Sequence, residues 1–225
     1  MTRLEGQARD RHADMAACMR KHPWVAQARA ASPQAPRQGL AIWLNDSGIA
    51  HLLQHGRADL LAQFDTYFAA NGAWPESGPC TWRLFDKDFP VPEGAALDEE
   101  IARPPPRDPQ LLGEHATPTG HVFELKLPLD LALFDDHFRS APVVPGVMQV
   151  AWALTFGARR YGPMACGTMD AVKFRRLVRP GDRLHLEVVH EAARGQLHFT
   201  VRIGGALCSS ARLHVVPVEG ADHAG

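Results

Sequence analysis

Between Pro145 and Tyr161 the chain carries a helix-length run that is apolar almost all round: Val147, Met148, Val150, Ala151, Trp152, Ala153, Leu154 and Phe156. A helix without a polar face has to be enclosed by other structure. The flanking sequence supplies the enclosure. Phe123, Leu125 and Leu127 alternate with Glu124 and Lys126, and Leu184, Leu186 and Val188 with His185 and Glu187. Leu197, Phe199, Val201 and Ile203 alternate with His198, Thr200 and Arg202, and Leu207, Ser209, Ala211, Leu213 and Val215 complete the set. A period of two marks strands with one packed face and one wetter face. Arg194-Gly195 and Gly204-Gly205 suit tight hairpins between them. One enclosed helix among antiparallel strands predicts a sheet wrapped around that helix.

The first half reads differently. A helix is expected over about residues 9 to 22, ending at His22-Pro23, where proline disfavours continuation. Gly39 to Leu44 reads as a short buried strand, and Asp46 or Ser47 suits the N-cap of the helix that follows. Ile49, Leu52, Leu53, Leu60, Phe64 and Phe68 then recur at helical spacing up to Asn71-Gly72. Trp82 to Phe85 reads as a further strand. The proline-dense stretch from Ile101 to Pro109 and the polar stretch from Gly113 to Gly120 interrupt the pattern. The expected class is α+β: a small α/β subdomain over 1–105, a linker over 106–120, the strand-rich domain over 121–217 and a tail over 218–225.

A formal net charge of −1 gives no bulk attraction for nucleic acid or a membrane surface. Cys18, Cys80, Cys166 and Cys208 form no CxxC pair, so no metal site is expected from them. His51 and His55 stand four apart on the expected helix, but no third ligand accompanies them, and both read as solvated. No apolar leader follows Met1 and no segment has the length to span a bilayer, so the expected location is cytoplasmic, with reduced thiols.

The segment that carries chemistry is His137-Phe-Arg-Ser-Ala-Pro-Val-Val-Pro-Gly-Val-Met-Gln-Val-Ala-Trp152, followed downstream by Lys173-Phe-Arg-Arg-Leu-Val-Arg-Pro-Gly-Asp-Arg-Leu184. The two motifs, in this order, resemble those of the 3-hydroxyacyl-carrier-protein dehydratases, a hot-dog-fold family. Gln149 and Trp152 look most like the branch that works in aryl-polyene synthesis. The resemblance covers about 100 residues. It implies loss of water from a 3-hydroxyacyl thioester carried on the phosphopantetheine of acyl carrier protein, with no metal and no redox cofactor. It also implies a homodimer or heterodimer through the hot-dog domain.

That reaction needs a base beside the thioester carbonyl, donors for the developing enolate oxygen, and an acid for the leaving hydroxyl. His137 suits the base, because imidazole titrates near neutral pH. Pro145-Gly146 opens the helix, where free N–H groups and the positive dipole end suit the thioester oxygen. Phe138, Pro142, Pro145, Val147 and Gln149 are the expected substrate-binding residues. Lys173, Arg175, Arg176 and Arg179 read either as a landing patch for the carrier protein or as the solvated face of an edge strand.

The chain departs from the family at Ala151, where a carboxylate is expected. Three options follow. The chain is a non-catalytic subunit that binds carrier protein or an active dehydratase; it completes a site with a homologue; or another group stands in, with Asp135, Asp136 and Asp170 nearest by sequence. A thioesterase is a further alternative, since this fold hosts both activities. The first half, from Lys21-His-Pro-Trp through Trp82-Arg-Leu-Phe-Asp86, resembles the C-terminal subdomain of AMP-forming acyl ligases. Alanine (Ala95) occupies the expected catalytic-lysine position and Lys87 is out of register, so the half reads as a remnant now serving as a docking module or cap.

Overall fold

The computed structural model describes residues 14–37, 39–71, 81–135, 137, 138 and 140–218. The chain divides into two compact units, one of residues 1–107 with 128–142, the other of 108–127 with 143–225.

In the first unit, a first helix, α1, is described over residues 14–19, the only part of the expected 9–22 helix that is described apart from the turn after it. A three-stranded sheet follows, ordered β1 (Val25–Ala30), β2 (Gly39–Leu44), β3 (Thr81–Asp86). β1 runs antiparallel to β2, and β3 runs parallel to it. The parallel pair is joined through α2 (Asp46–Ala70), and α3 (Ala95–Ala102) follows β3. β2 is apolar without alternation because both of its faces are covered. Leu40, Ile42 and Leu44 join a core with Leu52, Leu60, Phe64 and Phe68 of α2, while Ala41 and Trp43 join a second core with Leu97 and Ile101 of α3.

Two local features of α2 differ from the sequence expectation. The N-cap of α2 is Asn45, not Asp46 or Ser47; its side chain accepts from Gly48 N at 3.0 Å. The helix is also broken at Gly56, whose φ of 83° and ψ of 172° lie outside helical space and are open to glycine at no steric cost.

The second unit holds a six-stranded sheet among the described residues, ordered β4 (Gln110–Ala116), β5 (His121–Lys126), β7 (Arg183–Glu191), β8 (Gln196–Ile203), β9 (Ala206–Pro217), β6 (Met164–Phe174). Every pairing in it is antiparallel. α4 (Gly146–Tyr161) packs on this sheet, with Phe156 against Phe123 at 5.0 Å between ring centroids. Gly157 lets the helix approach Leu197, where a Cβ would stand 3.0 Å from a methyl carbon. The β8–β9 hairpin turns on Gly204 and Gly205, both at positive φ.

Residues 110–116, expected in the linker, form β4, and residues 128–142 belong to the first unit. α4 is not enclosed all round: Gln149, Val150, Trp152, Ala153, Phe156 and Gly157 form the buried face, while Val147 is 69% exposed.

Candidate functional site

The motif residues divide between the units: His137, Phe138 and Pro142 fall in the first, and Pro145, Gly146, Val147 and Gln149 in the second. In the first unit a 3-10 turn, Ala132–Asp135, leads into the histidine. His137 N donates to Leu133 O at 3.1 Å, and Phe138 and Ala141 exchange backbone hydrogen bonds across the loop. The His137 and Phe138 side chains are exposed, Phe138 by 63%, and Pro142 is buried. A solvent-facing imidazole three residues beyond the buried Phe134 is a side chain presented outward from an anchored stem.

In the second unit Pro145 is the N-cap of α4, with φ −58° and ψ 147°, rather than its first helical residue. Its carbonyl accepts from Met148 N at 3.1 Å and Gln149 N at 3.4 Å. The amides of Gly146 and Val147 lie in the first turn, where no intrahelical acceptor exists. Val144 N donates to Val178 O at 2.8 Å, which ties the entry of the helix to the segment after β6. The Phe174 ring lies against Gly146, and a Cβ there would have to displace it.

Gln149 is buried and held inside the unit. Its Oε1 accepts from Ser209 Oγ at 2.6 Å, and its Nε2 donates to Val144 O at 3.4 Å. Ser209, fully enclosed on β9, was legible only as one more inward position of an alternating strand. Trp152 Nε1, one turn further along α4, is buried without a hydrogen-bond partner among the described residues. Ala151 is half-buried on the same helix.

The carboxylates nearest by sequence have other engagements or lie beyond description. Asp170 accepts from His214 Nε2 at 2.9 Å and pairs with Arg212 at 3.4 Å. Those contacts, the His214 hydrogen bond first, hold its carboxyl below the ordinary carboxylate range, the wrong direction for a proton donor. The side chain of Asp135, and Asp136 as a whole, lie outside the described residues.

β6 is an exposed edge strand, with a register shift between Asp170 and Lys173 and Ala171 at φ 51°. It leaves Met169, Val172 and Phe174 exposed, with Leu177 just beyond. Lys173, Arg175 and Arg176 are exposed beside them, and Arg179 is half-buried, its N–H donating to Asp182 Oδ2 at 2.7 Å. Burial pushes the Asp182 carboxyl up, against the pull of that hydrogen bond and of Arg179 and Arg176.

Elsewhere in the first unit, His51 is not a solvated side chain: it stacks on Trp24 at 3.9 Å and bonds Asp59 Oδ2 at 2.7 Å, with His55 alongside at 4.4 Å. Lys87 pairs with Asp46 at 3.0 Å. Among the described residues, no group of three or more His, Cys, Asp or Glu is arranged to hold a metal ion. No helix of the described chain is long and apolar enough to cross a membrane. Cys18, Cys166 and Cys208 are free thiols, and Cys80 lies outside the described residues.

An antiparallel sheet with one long helix laid on it, opened by Pro-Gly after a His-Phe loop, defines the hot-dog class of protein. Residues 114–212 match the family model of the ApeI-like dehydratases. The curated 3-hydroxyacyl-acyl-carrier-protein dehydratase FabZ of Thiobacillus denitrificans is 38% identical over 95 residues, covering 36% of this chain and 65% of the relative. That of Agrobacterium fabrum is 39% identical over 89 residues, covering 35% of this chain and 58% of the relative. The chain thus spans less than two thirds of the length of either. Among solved structures, the dehydratase heterocomplex ApeI:P from Xenorhabdus doucetiae aligns at 22% identity and a TM-score of 0.45, over 48% of this chain and 97% of that one. Over residues 114–212 the chain is thus similar to dehydratases of the hot-dog type.

Proposed function

We propose that this chain removes water from 3-hydroxyacyl groups held as thioesters on acyl carrier protein. The observation that carries the reading is the dehydratase family match over 114–212, which takes in both the His137-Phe138 loop and the helix opened by Pro145-Gly146. His137 takes the proton from the carbon next to the thioester carbonyl. The carbonyl oxygen, gaining charge, is met by the first-turn amides of α4. The C3–O bond then breaks, the double bond forms between C2 and C3, and the imidazolium returns its proton to the departing hydroxyl as water. Ala151 offers no second proton donor, so His137 serves as both base and acid.

Lys173, Arg175 and Arg176, exposed at the end of β6, suit the acidic surface of a carrier protein. The apolar edge of β6, with Met169, Val172 and Phe174 outward, suits a second hot-dog subunit, either another copy or a homologue. Neither a metal nor a redox cofactor enters the reaction. Ala151 favours a second reading, in which the chain binds carrier protein and supports an active subunit without turning over itself.

Mass spectrometry of a 3-hydroxyacyl carrier protein incubated with the purified chain separates the readings. Loss of one water from the acyl group is expected. Release of the free carrier thiol marks a thioesterase, and a bound but unchanged acyl carrier protein marks the supporting subunit.

A further inference from the structure

We propose that Arg83 and Asp130 are positioning residues for His137, so that the N-terminal unit is the scaffold of the loop that carries the base. The inference rests on the reading of His137 given above, and all of its geometry lies within the first unit.

The segment 128–142 leaves the strand-rich unit and is built into the first one. Its stem is almost entirely enclosed: Leu129, Asp130, Leu131 and Phe134 are each 1–2% exposed. Leu129 belongs to the core formed by α2 and β2. Asp130 is the polar member, and a carboxylate so deeply placed needs compensation. Arg83 on β3, itself 3% exposed, supplies it: Nε donates to Asp130 Oδ2 at 2.6 Å. The same oxygen accepts from Leu84 N at 3.4 Å.

The rest of the guanidinium is also fully committed. It bonds Glu100 Oε1 at 2.9 Å, the Glu100 carbonyl, and Arg103 O at 3.2 Å. The planar fork therefore ties β3, the end of α3 and the loop stem into one arrangement, which a flexible ammonium could not do in the same geometry. Ala132 N adds a bond to Pro106 O at 2.8 Å, and His137 N one to Leu133 O at 3.1 Å. Asp130, Ala132 and His137 are thus each tied by a hydrogen bond within the first unit, and the His137 side chain meets solvent.

A clamp of this kind sets where the imidazole stands. A displacement on the order of 1 Å in a reacting group costs up to about 100-fold in rate. The test uses the full chain as wild type, Asp130→Asn, Arg83→Lys and His137→Ala. Two quantities are read: kcat and KM for water loss from 3-hydroxyacyl carrier protein, and the His137 imidazole signal in histidine-labelled NMR, assigned by its absence in His137→Ala.

Asp130→Asn is expected to lower kcat by about 10- to 100-fold with KM within about twofold. The His137 signal moves or broadens, while those of His198 and His214 in the other unit hold. Arg83→Lys keeps a buried positive charge and is expected to behave in the same way; it replaces Asp130→Asn if that variant does not fold. A folded variant with wild-type kcat and an unmoved His137 signal overturns the proposal. If His137→Ala keeps full turnover, the base reading fails instead, while the NMR signal still reports whether the clamp holds the loop.

Discussion

Ser209 and Gln149, 60 residues apart in sequence, share a hydrogen bond of 2.6 Å in the interior of the strand-rich unit. The hydroxyl donates to the amide oxygen, and the amide nitrogen turns to the Val144 carbonyl, so the pair locks the helix that opens at Gly146 to β9. Ser209→Ala strands a buried acceptor and is expected to cost on the order of 1–3 kcal/mol in chemical denaturation. The double variant Ser209→Ala with Gln149→Met removes both polar partners and recovers most of the loss. Additive losses would show that the two side chains do not act as a pair.

Gly146→Ala separates packing from chemistry. The added methyl meets the ring of Phe174, which is 50% exposed and has room to swing outward. Stability is therefore expected to fall by less than about 1 kcal/mol. Turnover is expected to fall on the order of 100-fold if the thioester oxygen approaches the first-turn amides past Gly146, as proposed. Equal activity in the variant, measured by acyl mass change, removes the amide end of α4 from the mechanism.

Ala151→Asp supplies the absent carboxyl from a half-buried position on α4. A second proton-transfer group is worth about 100-fold or more in general catalysis. A rise in kcat of about 10-fold or more is expected, and it vanishes in Ala151→Asn. A variant that folds and turns over no faster than wild type means that leaving-group protonation does not limit this chain.

The enclosed part of the fold was readable in the sequence. β7, β8 and β9 alternate because one face packs on α4 and the other meets water. β6 could not be read that way: it is exposed over nearly its whole length, so nothing selects an alternating pattern for Met164–Phe174. β4 was hidden for the same reason behind the prolines that precede it. The motif gave the helix start and the loop histidine. It could not give the ownership of the loop, which depends on a bond between Arg83 and Asp130 across 47 residues. Nor did it show that Gln149 is already satisfied, since its partner Ser209 is a single hydroxyl in an otherwise apolar register.

His22 links pH to the stability of the first unit. It is 8% exposed, with Phe64 at 5.0 Å and Tyr67 at 4.7 Å, and its Nδ1 accepts from Trp24 N at 3.2 Å. Burial, and secondarily the neighbouring His51, holds its pKa below the ordinary 6.5. The unfolded chain therefore binds the proton more readily, and stability rises with pH between the folded value and 6.5. The contribution is complete above 6.5 and is lost as pH falls below it. Denaturation midpoints taken from pH 8 to pH 5 are expected to fall on the acid side, and to fall less in His22→Phe. Parallel curves for the two proteins would remove His22 from the acid response.

The role proposed for His137 is to move the protons of a dehydration. It is tested most directly by the rate at which a 3-hydroxyacyl carrier protein loses one water in the presence of the wild-type chain and of folded His137→Ala. Turnover by the wild type is expected, with a loss of at least about 100-fold in the variant and carrier-protein binding unchanged. Equal rates of water loss in the two proteins would contradict it.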